Sequence, residues 1–171
     1  CEFDKSMSHP HEFELKEKLH DGRSTAVYRA LRRSDGAPVV LKMLKDAYAS
    51  SQFLARFKRE FEIAASLNGA APAGQRIDGV VDALSFETVN DLPSIVMEDF
   101  GGVSLNVTRK VWSLDDFFPL AIQVVGALGQ VHSRHVMHKD INPSNIVFNA
   151  RTGVAKLIDF GLSTVLPREQ V

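Results

Sequence analysis

Between Phe13 and Glu98 the apolar residues keep strand spacing in five short runs, and one longer run among them keeps helix spacing. Phe13 to Leu19 alternates apolar with polar, as a half-buried strand does. The turn His20–Ser24 leads into a returning strand, Thr25–Leu31. Ser34-Asp35-Gly36 turns the chain again, with a glycine able to take positive φ. Val39–Leu44 follows as a strand of β-branched and large apolar residues with one lysine, Lys42, embedded in it. Ser50 or Ser51 caps a helix running to about Leu67, whose apolar residues recur at three- and four-residue spacing. Asn68-Gly69 ends it, and residues 69–79 form a loop. A strand starts at Gly79 and reaches about Thr88; Asn90–Pro93 turn it into Ser94–Glu98.

After Gly101-Gly102 the pattern changes. Ser113 caps a second, longer helix with Asp115 and Asp116 in its first turn, where the helix dipole favours acids. Pro119 lies near enough to the start to be tolerated. Apolar residues through Ile122, Val125, Leu128 and Val131 predict that this helix is largely buried. Ile146–Phe148 and Val154–Ile158 form a hairpin about the turn at residues 149–153. Five strands with one helix, then a helical part bearing a hairpin, is an α+β arrangement in two parts.

The bulk numbers exclude rather than select. The chain has 171 residues, enough for one domain or two small lobes. A net charge of -1 gives no sign of nucleic acid or an acidic membrane as a partner. No apolar run reaches the length of about 18 residues that a membrane span needs. The first residues lack the basic-then-apolar order of a secretion signal, and the single cysteine, Cys1, excludes an internal disulfide. Both features fit a cytoplasmic setting. Residues 1–12 read as a polar lead-in, with His9 and His11 as solvated tail residues.

The chemistry gathers at His138-Lys139-Asp140-Ile141-Asn142-Pro143-Ser144-Asn145. A carboxylate, then an amide five residues later across a proline, can hold a base beside a metal ligand. Lys42 poses a second demand, because a lysine inside a buried strand costs several kcal/mol unless it is paired.

These residues resemble the protein kinase family, over roughly Leu15 to Leu162 and in five ordered parts. The resemblance implies a two-lobe fold: residues 13–98 as the N-lobe, 99–102 as the hinge and 103–171 as part of the C-lobe. It implies ATP and Mg2+ as cofactors. Residues 19–27 match the phosphate loop, with Gly22 alone of three glycines; His20 and Thr25 stand in the other two places. Val27 would pack on adenine, and Val40 and Val147 would also belong to the cofactor site. Lys42 would aim at the α- and β-phosphates, paired with Glu60, which has Ile63 and Leu67 at the family's spacing; Glu62 is the weaker candidate. Met97 would border the back of the pocket, and the Glu98 carbonyl and Phe100 backbone would contact adenine. Asp140 would accept or orient the proton of the attacking hydroxyl. Asn145 would ligate one magnesium, and Asp159 of Asp159-Phe160-Gly161 would hold another. His138 would be structural.

Two residues depart from the pattern. Lys139 replaces the usual arginine and lacks its bidentate fork. Asn142 replaces the lysine that serine/threonine kinases place two residues after the base, which removes a charge from the transition state. The wording of residues 138–149 and of Leu157–Thr164 also resembles the N-terminal kinase domains of very large bacterial and fungal sensor histidine kinases, which implies attached signalling domains as partners beside a protein substrate. The last residue, Val171, comes ten residues after Gly161. The kinase pattern runs further, so the chain is expected to be an incomplete catalytic domain, its long helix partly uncovered, with weak or no transfer to protein. A nucleotide-binding pseudokinase module is the alternative; a small-molecule kinase of the aminoglycoside or choline type fits Val39–Lys42 and the full Asp-Phe-Gly less well.

Overall fold

The computed structural model describes residues 12–46, 50–68, 76–108 and 111–167. Cys1, His9, His11 and most of the loop expected at residues 69–79 lie outside the described residues. Five antiparallel strands form one sheet: β1 (Phe13–Asp21), β2 (Thr25–Arg32), β3 (Pro38–Leu44), β4 (Ala83–Val89) and β5 (Leu92–Glu98), in the order β1-β2-β3-β5-β4. The helix α1 (Ser51–Asn68) lies between β3 and β4 in the chain. This is the α+β arrangement that the spacing of apolar residues implies.

Strand alternation assigns the two faces of the sheet. Val39, Leu41 and Met43 pack with Phe13, Ala30, Val89 and Val96 on one face. Leu44 and Ile95 face α1 and pack with Phe57 and Ala83. Lys42, two residues before Leu44, points to the α1 side. Val27 lies opposite Lys42, and Val40 opposite Met97, so these four side chains share that face.

The second half contains β6 (Val103–Ser104), α2 (Leu114–Ser133), β7 (Val136–Met137), β8 (Ile146–Asn149), β9 (Val154–Leu157) and β10 (Thr164–Val165). A 3-10 turn at Pro143–Asn145 precedes β8. β6, β8 and β9 form a small sheet, and β10 pairs with β7. Ser113 caps α2, accepting the Asp116 N–H on Oγ at 3.2 Å. Pro119 is carried inside the helix without a break. Ile63 and Leu67 of α1 join Ile77, Val80, Ala127, Val131, Val136, Leu157 and Phe160 in one core, so α1 belongs to both halves.

Two expectations are corrected. The strand expected from Gly79 starts at Ala83. Val80 instead makes a parallel bridge to Leu157, and Leu157 donates to the Gly79 carbonyl at 2.8 Å. The apolar run there is drawn into the core beneath α1, and the buried Asn68 side chain satisfies its backbone at Ile77 and Val80. Gly79 permits this: a Cβ there would lie 2.4 Å from Cβ of Ala127. The second correction concerns α2, of which only Leu120, Ala127 and Val131 are buried. Leu114, Phe117, Phe118, Ile122 and Val125 form a solvent-facing stripe, with Ile122 71% exposed. The helix is apolar on two sides and the described residues cover one of them, as the kinase resemblance implied.

Candidate active site

Lys42 Nζ donates to Glu60 Oε1 at 2.6 Å and lies 3.0 Å from Asp159 Oδ2. Alternation puts Lys42 on the α1 side of the sheet, and Glu60 lies on α1 in the turn before Ile63 and Leu67, which anchor that helix. Glu62 is exposed and takes no part in this cluster. Asp159 comes from the other half of the molecule, at a positive φ of 63° that aims its carboxylate back toward Lys42. Burial opposes the Lys42 charge, but Glu60 and Asp159 outweigh it and hold the ammonium above its ordinary value. Burial likewise opposes the Asp159 charge, and Lys42 with the Gly161 N–H holds that carboxyl below its ordinary value. Glu60 moves the other way: burial, aided by the Asp159 charge, outweighs the pull of Lys42 and pushes it up. One ammonium between two carboxylates leaves the cluster one negative charge in excess, which suits a cation at Asp159.

The loop beneath is held by backbone. His138 is buried at 1% exposure and packs against the Phe160 ring, with centroids 4.7 Å apart. Its Nε2 lies 3.0 Å from the Ile158 carbonyl, and its Nδ1 accepts the Asp140 N–H at 3.3 Å. The ring is therefore the neutral Nε2–H tautomer. The Ile158 N–H donates to the Asn145 carbonyl at 3.0 Å. Both polar groups of Ile158 are thus tied to the loop carrying Asp140, which fixes Asp159 one residue on. Lys139, at φ 66°, turns its side chain away and donates to Thr164 Oγ1.

Asp140 accepts Asn145 Nδ2 on Oδ2 at 2.9 Å and Asn142 Nδ2 on Oδ1 at 3.0 Å. With its nitrogen on Asp140, Asn145 has its Oδ1 for a metal. Among the described residues no group of three or more His, Cys, Asp or Glu could hold a metal ion.

Gly22 sits at the β1–β2 turn, its N–H donating to the Thr25 carbonyl at 2.9 Å. Lys45 Nζ donates to the Gly22 carbonyl at 2.6 Å. A Cβ on Gly22 would fall 2.9 Å from His20 Nε2, so a side chain there would push the exposed His20 ring aside. Val27, Val40, Met97 and Val147 are half-buried. A small cavity of about 20 Å³, room for a water, lies behind Met97 between Glu60, Phe61, Ala64, Ile158 and Asp159. Glu98 closes β5, and its carboxylate accepts the Asp82 N–H at 2.9 Å and pairs with Lys156. The Phe100 carbonyl accepts Asn149 Nδ2.

The sequence reading missed three fastenings of this site. Asn142 holds the proposed base. Arg29 reaches from β2 to Asp99 Oδ2 at 3.1 Å and to the Gly102 carbonyl at 2.6 Å. Asn149 holds Phe100. An Asx residue two positions before an N–H donor, as in Asn142-Pro143-Ser144, was the available signal for the first; Arg29 and Asn149 act over 70 and 49 residues and left none.

Comparison with known proteins agrees with this geometry. A protein kinase domain family model matches residues 13–171. A probable serine/threonine-protein kinase of Clostridium perfringens is 30% identical over 155 residues, covering 88% of this chain and 21% of that protein. PknB of Bifidobacterium longum, also a probable serine/threonine-protein kinase, is 32% identical over 161 residues, covering 90% of this chain and 23% of its own length. Serine/threonine-protein kinase 36 of Pongo abelii is 30% identical over 158 residues, covering 90% of this chain and 11% of its own length. The chain thus spans a quarter or less of the relatives it matches. A match from Phe13 to the last residue, with relatives at this identity across nine-tenths of the length, places the chain in the protein kinase domain family.

Proposed function

We propose that the chain binds Mg-ATP between its sheet and its helical half and passes the γ-phosphoryl group to a serine or threonine hydroxyl. The observation that carries this is Lys42, held at 2.6 and 3.0 Å by carboxylates from opposite sides of the cleft. In this reading residues 13–98 are the N-lobe, 99–102 the hinge and 103–171 part of the C-lobe. Gly22 and the turn around it lie over the phosphates. Val27, Val40, Met97 and Val147 enclose the adenine, and its edge meets the Glu98 carbonyl and the Phe100 N–H. Lys42 takes the α- and β-phosphates. Asn145 and Asp159 would hold magnesium, which supplies charge neutralisation to the phosphates when bound. The acceptor oxygen bonds to the γ-phosphorus as the bond to the β-phosphate oxygen breaks, and Asp140 takes the hydroxyl proton. Positioning and charge carry the reaction rather than covalent catalysis.

No helix among the described residues is long and apolar enough to cross a membrane. A cytoplasmic location and attached signalling domains, suggested by the wording of residues 138–149, belong to this proposal. So does slow transfer to protein by this chain alone, because the exposed α2 stripe leaves the base of a substrate platform uncovered.

Isothermal titration with Mg-ATP and radiolabelled transfer to a basic acceptor protein test the reading together, on the wild-type chain and on Asp140→Asn. Binding in both forms with transfer only in the wild type supports a kinase. Absence of Mg-ATP binding refutes it. The single glycine of the phosphate loop favours a second reading, a nucleotide-responsive regulatory module; binding without transfer, and signalling that survives Asp140→Asn, would select that instead.

A further inference from the structure

We propose that Asn142 is a positioning residue that holds the carboxylate of Asp140 in one orientation, an inference that rests on the kinase reading of this site. Four hydrogen bonds carry it. Asn142 Nδ2 donates to Asp140 Oδ1 at 3.0 Å and to the Asp140 carbonyl at 3.3 Å. Its Oδ1 accepts the Ser144 N–H at 2.8 Å. On the other side, Asn145 Nδ2 donates to Asp140 Oδ2 at 2.9 Å.

The Asn142 amide therefore has only one workable orientation. Turning it over would set its oxygen against Asp140 Oδ1 and its NH2 against the Ser144 N–H, two repulsive contacts in place of two bonds. The extended backbone of Asn142, φ −151° and ψ 167°, together with Pro143 at the head of the 3-10 turn, sets where that amide stands. Each oxygen of Asp140 thus receives one neutral N–H donor, from Asn142 on one side and Asn145 on the other. A carboxylate offers about four lone-pair sites, so the two that remain are confined to directions set by the two amides. The attacking hydroxyl must approach along them. Asn142 gives orientation without adding charge beside the transferred phosphate.

Asn142 touches both a base and a backbone cap, and two variants separate these roles. Asn142→Lys keeps a donor for Asp140 and loses the acceptor for Ser144. Asn142→Asp keeps the acceptor and sets a like charge against Asp140. Mg-ATP hydrolysis, which needs no protein acceptor, is measured on this chain. If Asn142 positions the base, Asn142→Asp loses about 100-fold in kcat and Asn142→Lys less than about tenfold, both with the KM for ATP unchanged. The reverse order would show a loop cap only and overturn the proposal, as would equal losses or none. If the wild type hydrolyses nothing, Mg-ATP binding and transfer to protein decide the kinase reading, and thermal melts decide the contact. Asn142→Asp should then lower Tm, and adding Asp140→Asn should restore it by exchanging donor and acceptor. Absence of that rescue overturns the contact.

Discussion

Replacing Lys42 by methionine removes the one positive charge between Glu60 and Asp159. Their oxygens lie 2.6 and 3.0 Å from the same nitrogen, so they are at most about 5.6 Å apart. Two unit charges at that separation repel by about 3 kcal/mol at an effective dielectric of 20. Removing one partner of a buried pair costs about 3–5 kcal/mol in general. The Lys42 and Glu60 side chains are each 12% exposed and belong in that range; Asp159 is 40% exposed and is discounted toward the lower end. A loss near 3 kcal/mol lowers the melting temperature of a chain this long by roughly 6–12 °C. The pH dependence gives the sharper test. In the wild type the Asp159 carboxyl is held below its ordinary value, so the stability it contributes is present above that value and is lost as pH falls through the lowered one. In Lys42→Met the largest opposition to burial is gone and only the Gly161 N–H and His138 still pull at Asp159, so both carboxyls rise and the folded state takes up more protons as pH falls than the wild type does. The variant should therefore gain stability relative to wild type as pH falls from 7.5 to 5. Circular dichroism melts at the two pH values measure this. An unchanged gap between variant and wild type at both pH values would refute the buried three-charge cluster.

Other substitutions test other parts of the argument. Gly22→Val should weaken Mg-ATP binding about tenfold, or about 1.4 kcal/mol, with Tm unchanged, since the new Cβ meets His20 Nε2 at 2.9 Å; calorimetric titration reads it. Asn68→Ala strips the Ile77 N–H and the Val80 carbonyl of their partner in a buried place and leaves the Ile77 carbonyl only the Val80 N–H, and should cost roughly 3 kcal/mol in denaturant melts. Ile122→Glu, at a position 71% exposed, should reduce concentration-dependent light scattering and leave Tm within about 2 °C of wild type.

The sheet was legible because its strands are half-buried, and a half-buried strand writes its alternation into the sequence. Lys42 was legible for a related reason: a charge at an inward position demands a partner, and the kinase spacing singled out Glu60 on α1. Val80 and Val81 were misread because an apolar pair serves a strand or a core equally well, and the Leu157 bridge that decides it lies far along the chain. β6, β7 and β10 are two residues each and exist only through their partners. The α2 helix was read in two ways at once, since apolar spacing reports which faces need cover and not whether cover is present. At Asn142 the sequence showed a missing charge. The amide that took its place was hidden, because its value lies in what it touches.

The crossover from β5 to β6 has a mechanical consequence. Arg29 grips it from the sheet at Asp99 and Gly102, while Asn149 and Lys156 grip it from the helical half at Phe100 and Glu98. Gly101, at φ 75°, lies between the grips at Phe100 and Gly102. The segment behaves as a pinned joint rather than a slack tether. On the kinase reading, opening of the cleft would turn about the backbone near Gly101, along a path that these bonds confine.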